Sequence, residues 1–232
     1  MTYHVEDLFD LTHTEHRSLF DGLVHPWDAL KRLGAYVAEN VRPVINNATV
    51  SPAAHVGPQV YIGEGTVVEP GAMILGPAII GSNCRIRHGA YIRENVIVGD
   101  GCVVGNSVEL KNCVLFNGCQ VPHFNYVGDS ILGHKAHLGA GAIVSNVKLD
   151  NLHVFVDVDG TPIDTGLRKF GALIGDRSEV GCNAVLNPGS IIGRGSLVYP
   201  NLSWRGILPA NMIAKLAAEP NVVVRRPRET AD

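Results

Sequence analysis

Aromatic residues are scarce in this chain, 6% of 232 residues, so its interior is not built from stacked rings. Charge is modest: 18% of residues are charged, and the formal net charge is -3. No basic stripe stands out, which argues against nucleic acid as a partner. No run of 18 apolar residues occurs, so nothing reads as a membrane-spanning helix. The start, MTYHVEDLFDL, lacks the basic and apolar regions of a secretory signal, and the cytoplasm is the expected compartment. The five cysteines, Cys84, Cys102, Cys113, Cys119 and Cys182, are odd in number and form no C-x-x-C pair. A disulfide framework or a structural zinc site is therefore not expected. No Gly-rich loop of the dinucleotide or P-loop type follows a strand. What is present is a 46% hydrophobic chain with 26 Gly and 13 Pro, a composition suited to thin, repeated coils of small and β-branched residues.

A repeat settles the architecture. Counting from Val50 in steps of six gives Val50, Val56, Ile62, Val68, Ile74, Ile80, Ile86, Ile92, Val98, Val104, Leu110 and Phe116, all apolar. Neither a 3.6-residue helix nor an alternating strand has this period. Each six-residue unit is expected to form one side of a triangular coil, with the in-phase aliphatic inside. Gly57, Gly63, Gly81, Gly99 and Gly105 are expected to relieve strain at the corners. This hexapeptide signature implies an all-β, left-handed parallel β-helix, an exception to right-handed crossovers. The phase slips once, near Pro122, resuming at Tyr126, Leu132, Leu138 and Val144. It breaks again for a loop over 147–171 and returns at Ile174, Val180, Leu186, Ile192 and Val198.

Residues 1–45 carry helical spacing (Leu19, Phe20, Leu23, Val24, then Trp27, Leu30, Leu33, Tyr36, Val37, with a break at His25-Pro26). They read as a helical cap on the open first coil. The β-helix is expected over 46–206. A C-terminal helix starting after Pro209 and a basic tail fill 207–232.

The polar residues gather between the two interruptions. V-E-L-K at 108–111, P-H-F-N-Y-V-G-D at 122–129, L-G-A-G at 138–141 and Asn146 resemble the acetyltransferase domain of the bifunctional N-acetylglucosamine-1-phosphate uridyltransferases. The resemblance runs from about residue 70 to 205. It implies a homotrimer that transfers acetyl from acetyl-CoA to an amino-sugar phosphate such as glucosamine-1-phosphate. The partner domain's L-x-x-G-x-G-T-R-M nucleotidyl signature does not occur here, so uridylyl transfer is not expected.

By the same resemblance His123 matches the catalytic base, a role that suits a group titrating near neutrality. Glu109 matches the carboxylate that orients it. Arg93, Lys111 and Lys169 match phosphate-binding cations, with Arg168 a possible substitute for Lys169. Tyr126 and Asn146 match sugar contacts, although Tyr126 is also in the repeat phase. Ala140 matches the residue whose N–H holds the thioester carbonyl, and Cys182 falls with it on the coenzyme side. Three features depart from the family: His137 where it has an Asn near the sugar amine, Val147 where it has a Tyr, and the length of the loop. Two other readings stay open. His123, His134 and His137 could serve a zinc-dependent gamma-type carbonic anhydrase, or the β-helix could be a non-catalytic sugar-nucleotide-binding scaffold. His13 and His16 read as a solvated helix face, and Arg225, Arg226 and Arg228 as a solvated tail.

Overall fold

A computed structural model describes residues 3–216. Two- and three-residue strands alternate with tight corners, and each strand pairs in parallel with the strand one coil later. Thr49 pairs with Val67, Val67 with Arg85, and Arg85 with Val103, a repeat of 18 residues. One face of the prism is a nine-stranded sheet. The other two faces merge into a 15-stranded sheet, because Glu109–Leu115 and Tyr126–Leu132 run through their shared corner as unbroken strands. The expected left-handed parallel β-helix is borne out. Its core is one column of aliphatics per face, from Ile62 through Ile80 and Val98 to Ile192, all essentially inaccessible. Four of the five cysteines, Cys84, Cys102, Cys113 and Cys119, are buried free thiols, whereas Cys182 is exposed.

The glycine reading needs correction. None of Gly57, Gly63, Gly81, Gly99 and Gly105 has a positive φ. They are needed because the next coil lies too close for a side chain: a Cβ on Gly105 would stand 1.5 Å from the Pro122 carbonyl oxygen. The left-handed corners belong to other residues, among them Asn83, Gly101, Gly118 and Asn211. Glycine and asparagine tolerate that conformation best.

The phase reading also needs correction. The coil shortens to 17 residues where Val96 pairs with Cys113, and again where Tyr126 pairs with Ile143. The short sides turn at Asn112 (φ 46°) and Asp129 (φ 49°), not at Pro122. Leu115 therefore fills the core, and Phe116 faces out against Phe9, at a ring distance of 5.3 Å. Two sides further on, one coil above Leu110, Val127 is the core residue and the half-buried Tyr126 turns outward. A one-residue slip reverses every side chain that follows it on that strand. The later phase, Ile174 to Val198, is as expected.

The N-terminal segment contains a short helix, α1 (Val5–Leu8), three 3-10 turns and one longer helix, α2 (Ala29–Asn40). It does not cap the first coil, where Val44 and Ile45 remain half exposed. It lies along one side of the prism. Phe9, Phe20, Trp27, Leu33 and Val37 bury the outward column Ile79, Ile97, Val114, Ile131, Leu173 and Ile191. The loop after Asn146 joins this second core through Val154, Val156, Val158 and Phe170, and carries an antiparallel hairpin, Phe155–Val158 with Thr161–Asp164. The helix expected after Pro209 is replaced by one more coil, since Ile213–Ala214 pairs with Leu197–Val198. The rest of that expected helix and the basic tail lie outside the described residues. Among the described residues no helix is long and apolar enough to cross a membrane.

Candidate active site

Parallel stacking puts equivalent residues of successive coils side by side, about 4.8 Å apart. On the face away from the N-terminal segment, Tyr91, Glu109, Tyr126 and Ile143 form one outward column. Two positions on, Arg93 and Lys111 form a parallel column, with Gly128 in register above Lys111. Candidates separated by up to 33 positions in sequence thus share one surface.

The cations are not free. Arg93 Nη1 lies 2.9 Å from Glu109 Oε1, and its Nε lies 3.4 Å from Glu94 Oε2. Lys111 Nζ is 3.8 Å from Glu94 Oε1. The hydrogen bond that it donates to Glu109 holds the Arg93 guanidinium still more firmly protonated. Glu109 therefore engages Arg93, and no bond to His123 accompanies it, which departs from the role expected for this carboxylate. Partly exposed pairs of this kind contribute on the order of 1 kcal/mol each, so the glutamates hold the two cations only loosely.

Above the cations lies a buried polar chain. Asp129 is 5% exposed. Its Oδ1 accepts from Asn112 Nδ2 at 2.8 Å, and its Oδ2 accepts from Asn146 Nδ2. Asn146 Nδ2 also donates to the Tyr126 hydroxyl at 3.2 Å. Burial, and then the charges of Asp129 and Glu109, push the Tyr126 phenol above its ordinary range, so it keeps its proton. Sequence reasoning missed Asp129 and Asn112. The available signal was the Asp closing the Y-V-G-D string, where the coil loses a residue.

His123 is exposed at the corner between the nine-stranded face and this one. Its N–H donates to Asn125 Oδ1 at 3.1 Å, and its carbonyl accepts from Gly141 N–H at 3.0 Å. Asn125, 3% exposed, donates in turn to the Gly139 and Ala142 carbonyls. The backbone of His123 is thus fixed while its ring faces solvent. Ala140 lies one coil above, and its carbonyl accepts from Asn183 N–H. Lys169 is returned to the site's edge: it forms an antiparallel bridge with Val147, and the next residue, Phe170, donates its N–H to the Asn146 carbonyl. Arg168 beside it is also exposed.

His137 does not join Tyr126 and Asn146. It sits on the nine-stranded face in register with Glu179, in a cavity of about 270 Å³ shared with Cys182, Leu197 and Tyr199. His134 stacks on His13 at 3.7 Å and shares a hydrogen bond with the Asn117 carbonyl through Nδ1. Among the described residues no group of three or more His, Cys, Asp or Glu side chains is placed to hold a metal ion.

Comparison with known proteins follows the same lines. The family model described as the GMPPB C-terminal domain matches residues 74–161. The bifunctional sugar-1-phosphate nucleotidylyltransferase/acetyltransferase of Sulfurisphaera tokodaii is 40% identical over 93 residues, which are 40% of this chain and 23% of that protein. The resemblance read from the sequence is borne out. The putative uncharacterized acetyltransferase YaiX of Escherichia coli is 35% identical over 101 residues, 44% of each chain. Among solved structures, the UDP-N-acetylglucosamine acyltransferase from Campylobacter jejuni aligns over 72% of this chain and 65% of its own, with 13% identity and a TM-score of 0.35. The chain spans less than a quarter of the length of the Sulfurisphaera relative.

Proposed function

We propose that this protein is an acetyl-CoA-dependent N-acetyltransferase acting on an amino-sugar phosphate such as glucosamine-1-phosphate, in nucleotide-sugar precursor synthesis and without uridylyl transfer. The observation that carries the reading is the convergence of Arg93, Lys111, Tyr126 and Asn146 on one face, with Lys169 and His123 at its margins. In this reading the cations hold the phosphate, and Tyr126 and Asn146 contact the sugar. His123 takes a proton from the substrate ammonium, the freed amine attacks the thioester carbonyl, and coenzyme A leaves as the thiol. The Ala140 N–H faces the carbonyl oxygen as negative charge develops there. The cavity holding His137 and Cys182 lies on the coenzyme side.

The site is open on one chain, and apolar residues flank it: Met73, Leu75 and Ile143 are each more than a third exposed. A homotrimer with parallel axes would cover them and bring a second chain against His123, supplying the orienting group that Glu109 does not. The cytoplasm is where such substrates would be met. The test is thiol release from acetyl-CoA against a panel of amino sugars and their 1-phosphates. Release dependent on an amino-sugar phosphate supports the reading, and no release with any of them overturns it.

A further inference from the structure

We infer that Asp129 is the positioning residue of this site, and that it sets which atoms of the cleft donate and which accept hydrogen bonds. This rests on the reading of Tyr126 and Asn146 as substrate contacts. A carboxylate can only accept, whereas a primary amide can present either its oxygen or its NH2 group. Asp129 receives one donor on each oxygen, from Asn112 Nδ2 and from Asn146 Nδ2. The amide of Asn146 therefore has one permitted orientation. Its two N–H bonds go to Asp129 and to the Tyr126 hydroxyl, which leaves its carbonyl oxygen as the remaining hydrogen-bonding group. The Tyr126 hydroxyl, already accepting from Asn146, has its proton left to give. The cleft thus presents one acceptor and one donor side by side. It suits a ligand bearing an N–H or O–H group at Asn146 and an oxygen acceptor at Tyr126, as an amino sugar does.

The fold builds this arrangement at some conformational cost. Asp129 occupies a left-handed corner at φ 49°, in register beside Asn112 at φ 46°. The Asp129 carbonyl accepts the Gly171 N–H at 2.8 Å, where the inserted loop rejoins the coil. Left-handed backbone is uncommon outside glycine and enriched in Asn and Asp. Its use in two successive coils is what places the carboxylate between the two amides.

The test exploits the fact that Asp129→Asn keeps the network satisfied but reverses it. The new amide would still accept from Asn112, and would now offer NH2 to Asn146, whose amide turns over. Steady-state rates with the amino-sugar phosphate should show kcat/KM falling at least about tenfold, mainly through KM, because the ligand's donor now meets a donor. Thermal stability should hold. Asn146→Asp alone sets two carboxylates together and should be impaired as well. The double variant D129N/N146D restores one acceptor facing one donor and returns an acceptor to the cleft. Its kcat/KM should exceed that of either single variant; a value at or below the better single variant overturns the inference. A second readout needs no turnover. In wild type the Asn146 side-chain amide protons, followed by NMR, should exchange slowly with solvent, and at least tenfold faster in D129N. Unchanged exchange would overturn the inference even if the protein proved to have another substrate. Absent acetyl transfer by wild type with normal Asn146 protection would instead count against the proposed function alone.

Discussion

Gly128 lies in register above Lys111, and the Tyr126 hydroxyl occupies the space its side chain would take. A Cβ there would stand 2.5 Å from that oxygen and 2.8 Å from Asn146 Nδ2. Both are ends of side chains, and Gly128 has no positive φ, so alanine fits the backbone and pushes the two groups aside. Gly128→Ala should cost about 1–3 kcal/mol of stability, the usual range for overpacking, yet impair acceptor use more than folding. Tyr126→Phe in the same background should restore part of the lost melting temperature without restoring rate. Calorimetry and steady-state kinetics on wild type and the two variants check this.

His123 has its backbone pinned and its ring exposed, so removing the ring should leave the coil intact. His123→Ala is expected to lower turnover by about 10²–10⁴-fold, the usual contribution of a general base, with little change in acetyl-CoA affinity. Near-normal turnover would show that the base is another group. The measurement is kcat alongside equilibrium binding of acetyl-CoA.

The N-terminal segment should loosen in acid. His16 is held below its ordinary value of 6.5 by burial, opposed by the charge of Asp100. Its Nδ1 lies 3.2 Å from the Tyr36 hydroxyl. His134 is lowered by burial too, with the stacked His13 and Lys135 acting in the same direction, and the Asn117 carbonyl and Asp176 opposing. Folding favours the neutral rings. Their stabilisation is present above the unfolded value and is lost as pH falls from 6.5 through the lower folded values. The melting temperature should therefore drop below pH 6.5, with Trp27 fluorescence reporting release of the segment. His16→Gln should flatten that dependence, and an unaltered profile would remove His16 from it.

The β-helix was legible because Val50 to Leu110 holds one phase, and only a three-sided coil accommodates it. The corrections all come from interactions that a six-residue count does not contain. Phe116 continues the apolar count, yet Leu115 takes the core, because Asn112 closes the corner one residue early. Nothing local distinguishes that asparagine from those at ordinary corners. The spacing of Leu19 to Val37 revealed an apolar stripe but not its partner, and the partner is a side of the prism, not its end. In the site, resemblance placed Arg93, Lys111, Tyr126 and Asn146 together, and stacking does the same. Glu109 turned to Arg93, since which cation a carboxylate meets depends on the coil register. Asp129 escaped notice because its importance lies in the two amides it joins across three coils.

The last prediction concerns the phosphate. If Arg93, Lys111 and Lys169 hold it, the free amino sugar should be a far poorer acceptor than its 1-phosphate. Charge-assisted hydrogen bonds are worth about 1.5–3 kcal/mol each, and three of them would give several powers of ten. The structure lowers that expectation. Arg93 and Lys111 already have carboxylate neighbours in Glu109 and Glu94, and a phosphate gains only the difference between its own bonds and theirs. A preference of about 10²–10³-fold in kcat/KM is therefore expected, roughly two to three factors of 1.4 kcal/mol. Lys111 is the sharper probe, because its side chain is only 16% exposed and its ion pair with Glu94 is long, at 3.8 Å. Lys111→Met should abolish most of the preference while barely changing the poor rate on the free sugar. Glu94→Gln should act the other way, strengthening use of the phosphate ester by freeing Lys111 and loosening Arg93, which keeps its bond to Glu109. Rate constants with and without the 1-phosphate, for wild type and these two variants, decide the matter. Equal rates on both acceptors in wild type would remove the phosphate from recognition and return the three cations to ordinary surface charge.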